Sequence, residues 1–160
     1  MIKLLYAVFV SSLLLAAPLT AAAEDAVVLT IDGAIEGGSI DYTLEELEQM
    51  PSATIATSMP WEDGVVSFEG VPMAALMEAV GAKGGTARVL ALNNYVTEIP
   101  FVDFNDYGVI LAFRRNGDHM PIADKGPLFV VYPFDDRPML KDELYHARSA
   151  WQVRRITVTP

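Results

Sequence analysis

Only two imidazoles, His119 and His146, and no thiol are available to this 160-residue chain. A thiolate-held metal, a thiolate nucleophile and a disulfide are therefore outside its chemistry. The two histidines form no His-x-x-x-His pair, and a lone histidine is more often a hydrogen-bonded surface residue than a ligand. Gly81, Gly84 and Gly85 close a helical pattern instead of opening one, so they do not form a phosphate-cradling loop. No catalytic residue and no metal ligand is assigned. What remains is binding chemistry, concentrated in irregular segments. Thr57-Ser58-Met59-Pro60-Trp61-Glu62-Asp63-Gly64 places a tryptophan in a polar loop where no periodicity asks for a core residue. Asn93-Asn94-Tyr95 sets two amides and a phenol at a strand break, while Tyr132-Pro133-Phe134-Asp135-Asp136-Arg137 and Ala147-Arg148-Ser149-Ala150-Trp151 mix aromatics, carboxylates and arginines. Loops of this kind on a rigid scaffold are where binding sites usually sit. The alternative, that Trp61 and Trp151 simply plug the ends of a core, stays open at this point.

The scaffold that must position these loops reads as α+β with few helices. Ala26 to Ile31 alternates as a strand and stops at Asp32-Gly33. Thr43 and Glu46 have the spacing of a capping box, with Tyr42 and Leu47 placed as a hydrophobic staple, and Pro51 ends the short helix that follows. Strands are expected over Ala53 to Ser58 and Val65 to Phe68. Gly70-Val71-Pro72 then introduces a helix whose Met73, Leu76, Met77 and Val80 share a face, and Gly81 stands where a left-handed cap belongs. Beyond Gly85 the pattern is mostly β: Arg88 to Leu92, Val96 to Phe101, Val109 to Phe113, Leu128 to Tyr132 and Gln152 to Val158, with Asn116-Gly117 as a turn pair and one or two helical turns within Pro138 to Tyr145.

Lys3, the apolar run from Leu4 to Leu19 and the small residues Thr20 to Ala23 read as a secretory signal over residues 1–23, cut after Ala23. Residues 24–160 are expected to form one periplasmic domain that does not insert into the membrane after cleavage. The chain carries 11 Lys+Arg against 21 Asp+Glu, a formal net charge of −10, and such a surface repels nucleic acid and anionic lipid.

Five segments in order resemble the molybdopterin-binding domain of the sulfite oxidase family: Phe68-Glu69-Gly70-Val71-Pro72-Met73-Ala74-Ala75-Leu76; Ala91-Leu92-Asn93-Asn94-Tyr95 with Ile99-Pro100-Phe101; Leu111 to Gly117; Gly126-Pro127-Leu128-Phe129-Val130-Val131-Tyr132-Pro133; and Ala147-Arg148-Ser149-Ala150-Trp151-Gln152-Val153. The resemblance implies a fold of mixed β-sheets with a few short helices, made to hold a pterin-based molybdenum cofactor. In the family's enzymes a cysteine after the first helix ligates the metal; here that region is Ile55-Ala56-Thr57-Ser58-Met59, without a thiol. Lys125 stands where the family has a histidine, and Phe129 near where an arginine helps to hold the cofactor. Met59 to Gly64 together with Arg148 to Gln152 is similar to a cysteine-free, exported subgroup described as periplasmic pterin-binding proteins working beside a membrane sensor, such as a diguanylate cyclase/phosphodiesterase or a histidine kinase.

That resemblance implies a non-catalytic pterin-binding protein that signals to the periplasmic part of such a sensor, with no covalently bound cofactor and no molybdenum. A pterin is a flat, polar heterocycle, which calls for aromatic platforms and for groups that satisfy its amino-amide edge. Trp61, Tyr95 and Trp151 are the expected platform and Asn93, Asn94, Asp135 and Arg148 the expected edge partners, with Thr57, Ser58 and Ser149 completing the set. The altered arginine suits a ligand lacking the cofactor's phosphate. The signal agrees: molybdenum cofactor is normally inserted before folded, twin-arginine export, and Met1 to Leu19 contains no twin arginine. Two rival expectations are a ligand-free interaction module of the same fold and an atypical molybdenum oxidoreductase.

Overall fold

Residues 26–160 are described by the computed structural model; the expected signal and its cut after Ala23 lie outside the described residues. Alternation does the first work. In β1 (Val27–Gly33), Leu29 and Ile31 turn inward and are fully buried, while Thr30 between them faces the other side and donates to the Asp41 carboxylate at 2.6 Å. Gly37 and Gly38, both at positive φ, lead the chain into β2 (Ser39–Thr43), which pairs antiparallel with β1. Helix α1 (Leu44–Glu48) begins with the expected capping box: the Glu46 amide donates to Thr43 Oγ1 and the Thr43 amide to the Glu46 carboxylate.

Two sheets result, each of five strands. The first has the order β2-β1-β10-β5-β6, with β5 spanning Thr86–Ala91, β6 Val96–Pro100 and β10 Val153–Thr159. It is mixed, because β1 and β10 run parallel and the other pairs antiparallel. The second runs β3-β4-β7-β8, with β9 beside β8 on the same flank of β7; here β3 is Ala53–Ser58, β4 Val65–Pro72, β7 Ile110–Arg115, β8 Asp118–His119 and β9 Phe129–Val131. Between them lies one core in which Phe68, Leu76, Ile99, Leu111, Phe129, Tyr132 and Ile156 are fully buried. The fold is α+β, mixed sheets with few short helices.

One seam joins the sheets and fixes the later argument. The segment before β10 runs along β9: the Val130 amide donates to the Ala150 carbonyl at 2.9 Å and the Val153 amide to the Leu128 carbonyl at 3.0 Å, with Phe129 and Trp151 bridged between them. Trp151 is thereby held at the junction of the two sheets.

Helix α2 (Met73–Ala79) buries Met73, Leu76 and Met77 and is followed by Gly81 at φ +59°, as its pattern predicts. Two elements differ from the sequence expectation. β2 was not foreseen, and neither was α3 (Phe101–Tyr107), which takes over at Phe101, the last residue of the strand expected from Val96. Its own signals were present, Pro100 before it and the left-handed Gly108 after it, but the expected strand carries through Pro100 to Phe101 and so crosses the helix start. β4 also continues to Pro72, four residues past Phe68.

At the bulge where β4 meets β7, a Cβ on Gly70 would lie 2.1 Å from the Leu111 carbonyl oxygen and 2.4 Å from Ala112 Cα. Both are backbone atoms of a paired strand and cannot swing aside. Gly70→Ala is expected to lower the unfolding free energy by about 2–3 kcal/mol, read as a lower urea midpoint at unchanged slope; an unchanged midpoint would show that the two strands are free to separate.

Candidate functional site

The Trp61 loop, the β5–β6 turn and the chain from α4 (Glu143–Arg148) into β10 converge on one side of the fold. They enclose a cavity of about 270 Å³ lined by Trp61, Asn93, Tyr95, His146, Ala147, Ser149, Ala150 and Trp151. The two indoles approach with ring centroids 5.6 Å apart at 61°, and Phe129 lies against both, at 6.5 Å from Trp61 and 6.3 Å from Trp151. Phe129, which stands near the family's expected arginine, is fully buried and backs both indoles without lining the cavity. Trp61 also meets His146 edge-on at 5.6 Å. Its indole Nε1 is buried and has no hydrogen-bond partner in the protein, an arrangement that folded proteins rarely leave unanswered.

Rigid backbone holds these walls. The Tyr95 hydroxyl donates to the Ala147 carbonyl at 2.7 Å, which ties the β5–β6 turn to the end of α4. Within that turn the Tyr95 amide donates to Asn93 Oδ1 at 3.0 Å, and Asn94 adopts φ +65°. Below Trp61, the Glu62 carboxylate accepts Lys125 Nζ at 3.0 Å and faces Arg115 Nη1 at 3.5 Å, while Arg115 is also paired with Asp124. The same turn holds the other tryptophan, because the Gln152 amide donates to the Lys125 carbonyl at 3.0 Å and Gln152 Nε2 to the Ile122 carbonyl at 2.6 Å. Both indoles are therefore anchored to residues 122–125. Asp124 and Arg115 answer one another: the guanidinium hydrogen bond holds the carboxyl below its ordinary range and raises the guanidinium.

Of the ten residues expected to bind ligand, Trp61, Asn93, Tyr95, Ser149 and Trp151 line this cavity. Thr57, Ser58 and Asp135 come together next to it. Asp135 accepts from the Ser58 amide at 2.7 Å, the Ser58 hydroxyl at 2.7 Å and Lys141 Nζ at 2.6 Å, while its own amide donates to Thr57 Oγ1 at 3.1 Å. Thr57 is fully buried. Its hydroxyl and that of Ser58 are engaged in fastening β3 to the Pro133–Arg137 loop. The hydrogen bond from Lys141, followed by those from the Ser58 hydroxyl and amide, lowers the Asp135 carboxyl to about 2. A carboxyl depressed in the folded state stabilises the fold above its unfolded pKa, near 3.9, and that contribution disappears as pH falls toward 2. NMR titration is expected to show Asp135 among the last carboxylates to protonate, and Asp135→Asn to flatten the acid limb of the stability profile; a midpoint near the ordinary value would disprove the cluster.

Arg148 and Asn94 do not line the cavity, a correction to the sequence expectation. Asn94 turns instead toward Arg154, 3.4 Å from its Oδ1. The Arg148 guanidinium points into the interior, where Nη1 donates to Asp103 at 2.8 Å and the group lies over the Tyr145 ring at 5.6 Å. The Tyr132 hydroxyl donates to the same Asp103 oxygen at 2.7 Å. Burial first, and the Asp103 hydrogen bond second, push that phenol far above its usual range. Asp103 is only 3% exposed, so it draws the nearest cation inward. Sequence reasoning also missed His146, Ala147 and Ala150. His146 is one helical turn before Ser149, and that spacing was the available signal. His119, the other imidazole, is elsewhere, paired with Glu48 at 2.6 Å; although burial raises the Glu48 carboxyl, the His119 and Arg114 hydrogen bonds together hold it below its ordinary value.

The arrangement suits a flat ligand. It offers aromatic faces with an amide and an imidazole in the same walls, while the Ser149 hydroxyl is buried and donates to the Tyr145 carbonyl at 2.9 Å. The hydroxyls in the region of the family's cysteine are used by Asp135, and among the described residues no group of three or more His, Cys, Asp or Glu side chains is placed to hold a metal ion. The nearby cations Lys125, Arg115, Lys141 and Arg148 are all ion-paired within the protein. Among the described residues, no helix is long and apolar enough to cross a membrane.

Comparison with known proteins agrees with the fold. The family described as oxidoreductase molybdopterin binding domain matches residues 16–160. The crystal structure of the sulfane dehydrogenase SoxCD from Paracoccus pantotrophus superposes with a TM-score of 0.64 at 19% identity, over 88% of this chain and 40% of that one. At that identity the likeness speaks for the fold alone, and this chain spans well under half of that protein's chain. No curated protein matches in sequence.

Proposed function

This chain belongs to the oxidoreductase molybdopterin-binding domain family, and from that premise we propose that it binds a pterin without transforming it and reports the bound state to a membrane sensor. The observation that carries this reading is the aromatic cavity beside a cysteine region whose hydroxyls are already spent on Asp135. A pterin ring laid on the open faces of Trp61, Trp151 and Tyr95 would find the Asn93 amide within the same walls. Molybdenum has no role in this proposal, and no step of redox chemistry is assigned.

The proposal includes membership of the exported, cysteine-free subgroup, a Sec-type signal over residues 1–23, a single domain over 24–160 and a periplasmic location. Its partner is the periplasmic part of a membrane-bound diguanylate cyclase/phosphodiesterase or histidine kinase. Leu92, Tyr95, Val96 and Leu144 support a docking role, since they are exposed apolar residues on the β5–β6 turn, β6 and α4, the elements around the cavity.

Two measurements on protein purified from the periplasm test the reading. Mass spectrometry of small molecules released on denaturation is expected to find a pterin and elemental analysis no stoichiometric molybdenum. Family membership favours one second reading, an oxidoreductase with an unusual metal ligand, and stoichiometric molybdenum would decide for it. A protein that neither carries a pterin nor quenches its tryptophan fluorescence on adding one would leave only the interaction module.

A further inference from the structure

The aromatic cavity is not the only hollow that touches His146. A second, shallower groove of about 190 Å³, lined by Ser58, Met59, Pro60 and Lys141, has the same imidazole in its wall. The ring stands where two hollows of different character meet. On the cavity side are the indoles of Trp61 and Trp151; on the groove side are the Ser58 hydroxyl and the Lys141 ammonium, already engaged with Asp135. Aromatic contacts brace the imidazole there, edge-on to Trp61 at 5.6 Å and tilted against Phe134 at 5.0 Å. Its backbone is fixed as well, because the His146 amide donates to the Asp142 carbonyl at 3.0 Å and the Asp142 side chain caps the helix through the Leu144 amide at 2.9 Å. Only rotation about the side-chain bonds can move the ring.

Resting on the pterin-binding reading, we propose that His146 is a specificity-determining residue: its imidazole is the partition that confines a ligand's ring to the aromatic cavity and limits the length of substituent the ring can carry. The cavity, at about 270 Å³, has room for one bicyclic head with a short arm. A longer arm reaches the groove only by pushing the imidazole out from between Trp61 and Phe134, which gives up both aromatic contacts. Bulk at position 146, and not its nitrogens, therefore sets the limit.

The test uses 6-hydroxymethylpterin and pteroic acid, which share the pterin ring and differ in the length of the group on it, with affinities measured by calorimetry on the exported protein. Wild type is expected to favour the short-armed probe by roughly tenfold or more, and His146→Ala to shift the ratio of the two affinities by roughly tenfold toward pteroic acid. His146→Phe, which keeps the bulk and removes the nitrogens, is expected to retain the wild-type ratio. His146→Ser serves as a second small replacement if the alanine variant loses its near-UV circular dichroism. An unchanged ratio in a folded small variant overturns the partition, as does a His146→Phe ratio shifted as far as that of alanine. Failure of wild type to bind either probe is a different result: it removes the pterin reading itself, and the partition with it.

Discussion

Asp103→Ala is expected to lower the unfolding free energy by about 3–5 kcal/mol, the cost of leaving the other half of a buried charge pair uncompensated. Asp103 is 3% exposed and receives two hydrogen bonds, from Tyr132 at 2.7 Å and Arg148 at 2.8 Å. Removing it strands a guanidinium whose Nε already lacks a partner and a phenol that is fully buried. The effect is read as a lower urea midpoint. Replacing the pair together, with Asp103→Leu and Arg148→Met, is expected to recover much of the loss, since an apolar pair avoids the desolvation of both charges. Tyr132→Phe removes one hydrogen bond and leaves the ion pair, so it is expected to cost about 1 kcal/mol. A single Asp103→Ala variant as stable as wild type would mean that the interior admits water around Arg148. The pair also bears on the site, because Arg148 sits between Ala147 and Ser149, both in the cavity wall.

Trp61→Ala is expected to weaken pterin binding by roughly 10- to 100-fold, the range set by the ~1–3 kcal/mol that one aromatic platform contributes to a stacked heterocycle. The loop around it is fastened independently through Glu62, with Lys125 Nζ at 3.0 Å and Arg115 Nη1 at 3.5 Å. The backbone should therefore stay in place when the indole is removed. Trp61→Phe, which keeps a smaller ring, is expected to fall between wild type and Trp61→Ala, as a loss of stacking area requires. Calorimetry with pterin itself gives the affinity and circular dichroism the integrity of the fold. Equal affinity in wild type and Trp61→Ala would place the ligand somewhere other than this cavity, whereas loss of fold would show that Trp61 is chiefly a core residue.

How much of this was legible in the sequence depended on distance along the chain. The capping box at Thr43 and Glu46, the left-handed Gly81 and the Asn116-Gly117 turn, with φ of +52° and +89°, are local devices whose partners lie within a few residues. They were read directly. Helix α3 carried its own boundary signals in Pro100 and Gly108, but the strand expected from Val96 was carried through Pro100 to Phe101, across the helix start. Among the site residues, the two tryptophans, Asn93, Tyr95 and Ser149 stood out as aromatic and polar groups in loops and do line one cavity. The same reasoning could not tell that Arg148 would turn away from it.

The sequence by itself determined the α+β class, the loops that carry the aromatic groups, and the absence of any thiol. Only the tertiary structure decided how charges and hydroxyls were used. Arg148 meets Asp103 across 45 residues, and Ser58 meets Asp135 across 77. A polar side chain takes the partner that burial brings to it, and an unpaired charge inside the fold is too costly to remain. Which groups are left to face a ligand is therefore settled by packing between distant segments, a property that no local spacing contains.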